Sequence, residues 1–500
     1  MTPPHAPPPP PPPSPVVSLT LFSNVLMAPR GQSYNLDVLA VIKAPPPPPP
    51  PLPIPLPPLQ NQSGDNINNV VVAQHVVVLA DVSGSMEDAG KLQSLKTALR
   101  AVVGRIAEHD KLTIVAYNAC VRTVYNDDDD YDVVGGRQKA FKAIDALYAY
   151  GSTDISQAVL AAFMAFDAGV VSDQKSGISG GGGGCSAAML RTVLLMTDGQ
   201  DTVLRKTARV LEKIGDPAPN NNGVAIHAFG FGADANVDLL DSIARKWRGV
   251  YHFVERGCDL TEAFTSCVSG ASQTCADAVE IRLFSATGLD VLRSSANGGG
   301  RQNQVLLARD GSRVLVKLDG TLRYNETRTI RFECSMPANV SESFVDIRAE
   351  VSFRAAGAAG ASACNGRTRI TSKITTCRTN SVAAVVEDPV GAREIVVEKL
   401  REQFMSVVES CKHASSQTST RRLERVEVQV NEYAASNNAA NNSPLSTAFT
   451  SLQLDLRKCL ERARDSTNFA STGSAYMAST ASAYTQQRSA GASISSAYTV

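Results

Sequence analysis

The 500-residue chain predicts an α/β fold with a doubly wound, mostly parallel sheet, followed by an antiparallel β-sandwich and a small helical region. Three observations predict it. Between residues 70 and 270, short β-branched runs of nearly continuous apolar character alternate with amphipathic stretches. Strands covered on both faces alternate in this way with the helices that cover them. From 277 to 378 the helical period stops, and alternating apolar and polar residues broken by turn signals replace it. From 388 to 465 the helical spacing returns.

In the first region the strands are VVVLA (76–80), LTIVAY (112–117), TVLLMT (192–197), AIHAFGF (225–231) and VYHFV (250–254). The helices between them are Lys91–Ala107, Gln138–Ala149, Ile155–Ala168, Arg205–Ile214 and Val237–Trp247. In the first, Leu92, Leu95, Leu99, Val102, Val103 and Ile106 recur at spacings of three and four. The insertion SGISGGGGGC (176–185) has almost no side chains to bury and reads as a loop. In the second region the turn signals include Asp310-Gly311 and Asp319-Gly320. In the third, Val397, Leu400, Phe404, Val407, Val408 and Cys411 line one helix face, and Leu423–Tyr433 and Leu445–Arg464 add two more helices. A helical hairpin or bundle follows. The Ser/Ala/Thr-rich tail, 466–500, repeats Ser-Ala-Tyr three times and reads as weakly ordered.

The N-terminal part is marked by proline. Of 27 prolines, 21 lie in residues 3–15 and 45–58. Each fixes φ and removes an amide donor, so such tracts adopt extended polyproline II. We read 1–15 as disordered polyproline and 45–69 as a polyproline linker that could also meet an SH3- or WW-type domain. Between them, 16–44 alternates as a strand pair that can belong to the β-sandwich.

Composition narrows the function. Lys plus Arg and Asp plus Glu are 48 each, and this balance argues against a dedicated nucleic-acid binder. No stretch approaches the ~20 apolar residues of a membrane span. The start MTPPHAPPPP lacks the basic and apolar regions of a signal peptide, which places the chain inside the cell, in the cytoplasm. The ten cysteines are scattered with no C-x-x-C pair, consistent with reduced, buried thiols rather than a short-spaced zinc site. No phosphate-binding loop, nucleophile elbow or H-E-x-x-H is present, so no catalytic residue is assigned.

The informative segment is Asp81-Val82-Ser83-Gly84-Ser85, where the first buried strand meets its helix. One carboxylate and two hydroxyls at two-residue steps offer hard oxygen donors to a divalent cation. Thr153, in Gly151-Ser152-Thr153-Asp154, and Asp198, in Thr197-Asp198-Gly199, add a hydroxyl and a carboxylate from two loops at the same sheet edge. One such loop is a weak signal. Three in order, each at a strand end or helix mouth, are a strong one.

Residues 70–270 resemble the von Willebrand factor type A (VWA) domain. Its metal-ion-dependent adhesion site has the pattern DxSxS, then Thr, then Asp, matched here by Asp81, Ser83, Ser85, Thr153 and Asp198. The resemblance implies Mg²⁺ (or Mn²⁺) at those residues and a partner protein whose Asp or Glu carboxylate completes the coordination. The order of strand pair, VWA region, β-sandwich, helices and Ser-Ala-Tyr tail is similar to plant wavy-growth-type RING/VWA ubiquitin ligases. In those relatives a zinc-bound RING lies upstream of the VWA region. Here that position is polyproline, and no eight-ligand Cys/His cluster occurs. The resemblance thus implies, as the alternative, a RING-less or truncated relative that recruits substrates for ubiquitination.

Overall fold

The structure, a computed structural model, describes residues 17–30, 32–47, 73–127, 133–172, 189–198, 201, 204–214, 224–255, 257–272, 274–285, 290–294, 304–307, 313–318, 322–336, 338, 343–355, 368–379, 386–441 and 447–485. Both polyproline tracts (apart from 45–47), the glycine-rich insertion, both Asp-Gly turns and residues 486–500 lie outside the described residues.

In chain order, β1 (Ser18–Ser23), β2 (Val25–Pro29) and β3 (Tyr34–Lys43) come first. The central unit follows: β4 (Gln74–Asp81), α1 (Lys91–Arg105), β5 (Lys111–Tyr117), β6 (Val121–Asn126), α2 (Val133–Asp145), α3 (Ile155–Ser172), β7 (Leu190–Thr197), α4 (Leu204–Lys213), β8 (Val224–Phe231), α5 (Val237–Lys246), β9 (Tyr251–Val254) and α6 (Gly257–Ser272). Its sheet runs in the order β6-β5-β4-β7-β8-β9. Every neighbouring pair is parallel except β5 with β6. The doubly wound, mostly parallel fold expected from the sequence is therefore present.

Burial explains the pattern. Every residue of β4 is buried, because helices cover both faces. Val76, Val78 and Ala80 pack with α1 and α6, while Val77 and Leu79 pack with α3 and α5. Trp247, the only tryptophan, is buried in that second layer against Phe163. β4 also marks the place where strand order reverses, since β5 lies on one side and β7 on the other. In open α/β sheets, ligands bind outside the carboxyl ends of strands at such a point.

The later strands are β10 (Thr274–Ser285), β11 (Asp290–Ser294), β12 (Gln304–Leu307), β13 (Arg313–Lys317), β14 (Leu322–Arg323), β15 (Thr327–Met336), β16 (Phe344–Ala355), β17 (Thr368–Thr379) and β18 (Val386–Glu387). They form two sheets, β1-β3-β15-β11 and β12-β13-β10-β16-β17-β2-β18, with β14 beside β10. Residues 17–44 supply three strands, not two, and divide them between both sheets. Leu21, Val38, Ile281, Phe332 and Val351 share the core between the sheets.

The helices α7 (Pro389–Cys411), α8 (Ser416–Asn441) and α9 (Thr447–Arg464) follow, then a π-helical turn (Phe469–Gly473) and α10 (Ser474–Thr485). Asp388 caps α7 by accepting from the Val390 amide, with Pro389 in the first turn. The expectation of a weakly ordered tail is wrong for residues 469–485. Met477, Ala481 and Tyr484 of α10 are buried with Phe404 and Leu456, and the Tyr484 hydroxyl donates to Asp455 Oδ2 at 2.9 Å. Ala475 and Ala478 bring α10 close to β9, where Ser482 Oγ accepts the Tyr251 amide at 2.9 Å. The helix thus covers an edge strand whose amides need acceptors. A composition of small residues suggests disorder, but small residues also allow this close approach.

No helix of the described residues is long and apolar enough to cross a membrane.

Candidate metal centre

β4 ends at Asp81, which is completely buried. Its Oδ1 accepts the Ser83 amide at 2.8 Å, and its Oδ2 accepts the Thr197 hydroxyl at 2.6 Å. Those bonds tie the end of β4 to the end of β7, one strand away. Burial, with a smaller contribution from the negative charge of Asp198, pushes the Asp81 carboxyl up to about 6 despite both hydrogen bonds. A carboxylate so disfavoured without a cation suits one that would gain a positive partner.

Ser83 Oγ and Ser85 Oγ lie 3.2 Å apart, and the Ser85 hydroxyl donates to Asp198 Oδ1 at 2.8 Å. The structure therefore brings Asp81, Ser83, Ser85 and Asp198 into one hydrogen-bonded cluster. Thr153 is buried in the adjoining loop. Two backbone bonds join that loop to the serine loop: the Gly84 amide donates to Gly151 O at 2.9 Å, and the Tyr150 amide to Val82 O at 2.8 Å. Gly151 has φ +77°, and a Cβ there would lie 3.3 Å from Asn118 Nδ2, so this turn favours glycine. Asp154 Oδ1 accepts from Ser156 Oγ and the Gln157 amide and caps α3.

Three contributors escaped the sequence reading. Lys91 Nζ, at the start of α1, lies 2.5 Å from Asp198 Oδ2, placing a positive charge against the cluster. Asn118, just past β5, donates to Tyr150 O at 2.9 Å and its own carbonyl accepts the Asp154 amide at 2.9 Å, so it shapes the Thr153 loop. Tyr148 and Tyr150, just ahead of Gly151 in the chain, stack with ring centroids 4.9 Å apart and remain 61% and 48% exposed. No spacing rule marks these residues, since each becomes informative only once the strand ends are adjacent.

Two buried carboxylates and two neighbouring serine hydroxyls are a donor set that fits a hard divalent cation. Lys91 already satisfies part of the same demand for positive charge. The residues present therefore fit a divalent cation held by oxygen donors.

Comparison with known proteins agrees with the fold of the central unit. The family model described as von Willebrand factor type A domain matches residues 74–253. An uncharacterized protein of Synechocystis sp., sll0103, is 28% identical over 190 residues, covering 38% of this chain and 40% of its own length. The solved structure of a von Willebrand factor type A protein from Catenulispora acidiphila superposes with a TM-score of 0.57 at 16% identity, over 89% of this chain and 90% of that one. The ArnB paralog VWA2 from Sulfolobus acidocaldarius gives 0.49 at 14% identity, over 93% and 98%. With the family match and the sheet order in agreement, residues 74–253 of this chain are a von Willebrand factor type A domain.

Proposed function

We propose that the domain is a metal-ion-dependent protein-binding module. In this reading Asp81, Ser83, Ser85, Thr153 and Asp198 hold Mg²⁺ (or Mn²⁺), and an Asp or Glu carboxylate of a partner protein completes the coordination. The carrying observation is the cluster itself, in which two buried carboxylates and two serine hydroxyls meet where strand order reverses. A divalent cation against two carboxylates and the Lys91 ammonium leaves a net positive site, which favours an anionic partner group. The exposed Tyr148–Tyr150 stack offers adjacent amphipathic area for the residues flanking that group.

Affinity purification with and without Mg²⁺, followed by mass spectrometry, tests the proposal. Partners should be retained with Mg²⁺ and lost in EDTA. They should also be lost from an Asp81→Ala variant that folds normally. Partners that persist in both conditions would refute it.

As a second reading, recruitment of substrates for ubiquitination is supported by the order of units along the chain. It predicts a carboxylate-bearing substrate on the same site and no auto-ubiquitination by this chain alone. Enrichment of no ubiquitination component with the partner would count against it.

A further inference from the structure

A second cluster lies on the α6 face of the central sheet, away from the metal centre above. His227 comes from β8, His252 from β9 and Cys267 from α6, and all three are buried. Their ligand atoms all lie within 4.8 Å of one another, with Cys267 Sγ 3.8 Å from His252 Nε2. Val78 pairs with Leu194, which pairs with His227. His227 is therefore two strands across from β4 and three residues below the level of Asp81, more than about 10 Å away on strand spacing alone.

The donor set differs in kind from the first. Two imidazoles and a thiol suit a borderline-soft cation, zinc above all, whereas magnesium prefers oxygen. The spacing is close to what zinc requires. With the two longer separations at their limit, a point equidistant from the three atoms lies about 2.6 Å from each, against Zn–N of about 2.0–2.1 Å and Zn–S of about 2.3 Å. Inward shifts of about half an ångström close that difference.

The scaffold holds the ligands in place. His252 stacks on Phe229 with centroids 4.8 Å apart and planes 10° apart. His227 Nδ1 accepts the Val250 amide at 3.3 Å, a long bond that ligation by His227 would give up. One neutral hydrogen bond is small against the free energy of a zinc–thiolate site.

We propose that His227, His252 and Cys267 bind one zinc ion, with Cys267 as thiolate. Binding releases the thiol proton to solvent. Three protein ligands leave one tetrahedral position for water, and the ion would tie the edge strand β9 and the helix α6 to β8. The ligands stand 25 and 15 residues apart in sequence, so no short-spaced motif announces them.

The test uses the full chain, loaded with Co²⁺ as a spectroscopic probe and with Zn²⁺ for stoichiometry. Wild type and Asp81→Ala should both show cobalt–thiolate absorption, and Asp81→Ala, in which the first metal centre is disabled, should retain one equivalent of zinc after dialysis. Cys267→Ser should lose the thiolate band and bind zinc at least 100-fold more weakly. His252→Phe keeps the ring stack on Phe229 and should weaken zinc at least tenfold. Cys120 is the exposed thiol among the described residues, and Cys120→Ser should leave the band intact. A folded wild-type protein with no cobalt–thiolate band would overturn the proposal. So would a band that survives Cys267→Ser or disappears with Cys120→Ser.

Discussion

Replacing Asp81 by asparagine should stabilise the metal-free protein at neutral pH and abolish its response to Mg²⁺. Burial raises the Asp81 carboxyl from its ordinary 3.8 to about 6. The folded state therefore holds this proton more tightly than the unfolded chain does. Stability from this group is fully present below pH ~4 and is lost as pH rises through about 6. A shift of roughly two pKa units corresponds to about 3 kcal/mol, at about 1.36 kcal/mol per unit. Above pH 6 the ionised, buried carboxylate therefore opposes folding by up to that amount until a cation neutralises it. Asparagine removes the charge and keeps the local bonds: its carbonyl can accept the Ser83 amide, while its amide can donate to the Thr197 hydroxyl. Denaturant unfolding in EDTA from pH 4 to 8 should show wild type losing stability relative to Asp81→Asn, with up to about 3 kcal/mol between them at pH 7.5. Saturating Mg²⁺ should then stabilise wild type alone, by about 2.7 kcal/mol at 100 times its Kd. A variant less stable than wild type in EDTA at pH 7.5, or a pH-independent difference, would refute the reasoning.

Other substitutions separate the parts of the site. Lys91→Met removes the ammonium that competes for Asp198 and should tighten Mg²⁺ binding about tenfold by calorimetry, an effect that shrinks as salt rises. Gly151→Ala places a Cβ at positive φ beside Asn118, so it should destabilise the domain by about 1–2 kcal/mol and weaken Mg²⁺ binding through the Thr153 loop. Tyr148→Ala should weaken partner binding about tenfold while leaving Mg²⁺-dependent stabilisation unchanged, since the exposed ring is not among the five proposed donors. Tyr484→Phe deletes the donor to buried Asp455 and should lower stability by about 1–3 kcal/mol in denaturant unfolding, which tests whether α10 is an integral part of the helical unit.

The central domain was legible because its signals are local. Continuous apolar runs such as 76–80 and 192–197 mark strands buried on both faces, and Asp81, Ser83 and Ser85 stand together at the end of one of them. Signals that depend on partners were not legible. β6 is an exposed edge strand without a strong apolar run, and α6 packs on α1 through residues whose spacing mixes apolar and polar types. Lys91, Asn118 and the Tyr148–Tyr150 stack acquire their positions from chain crossings, not from spacing. The clearest miss was α10, whose Ser-Ala-Tyr composition carries no hydrophobic period. Its order comes from Tyr484, Met477 and the acceptor that Ser482 presents to β9.

Diffraction from crystals grown with Mn²⁺, recorded at the manganese edge, most directly tests whether these side chains bind a metal. An anomalous peak should stand among Ser83, Ser85 and Thr153, within about 2.0–2.3 Å of hydroxyl oxygens, with Lys91 Nζ displaced from Asp198. Well-ordered loops with no peak there, and Lys91 still paired with Asp198, would contradict a metal-dependent site.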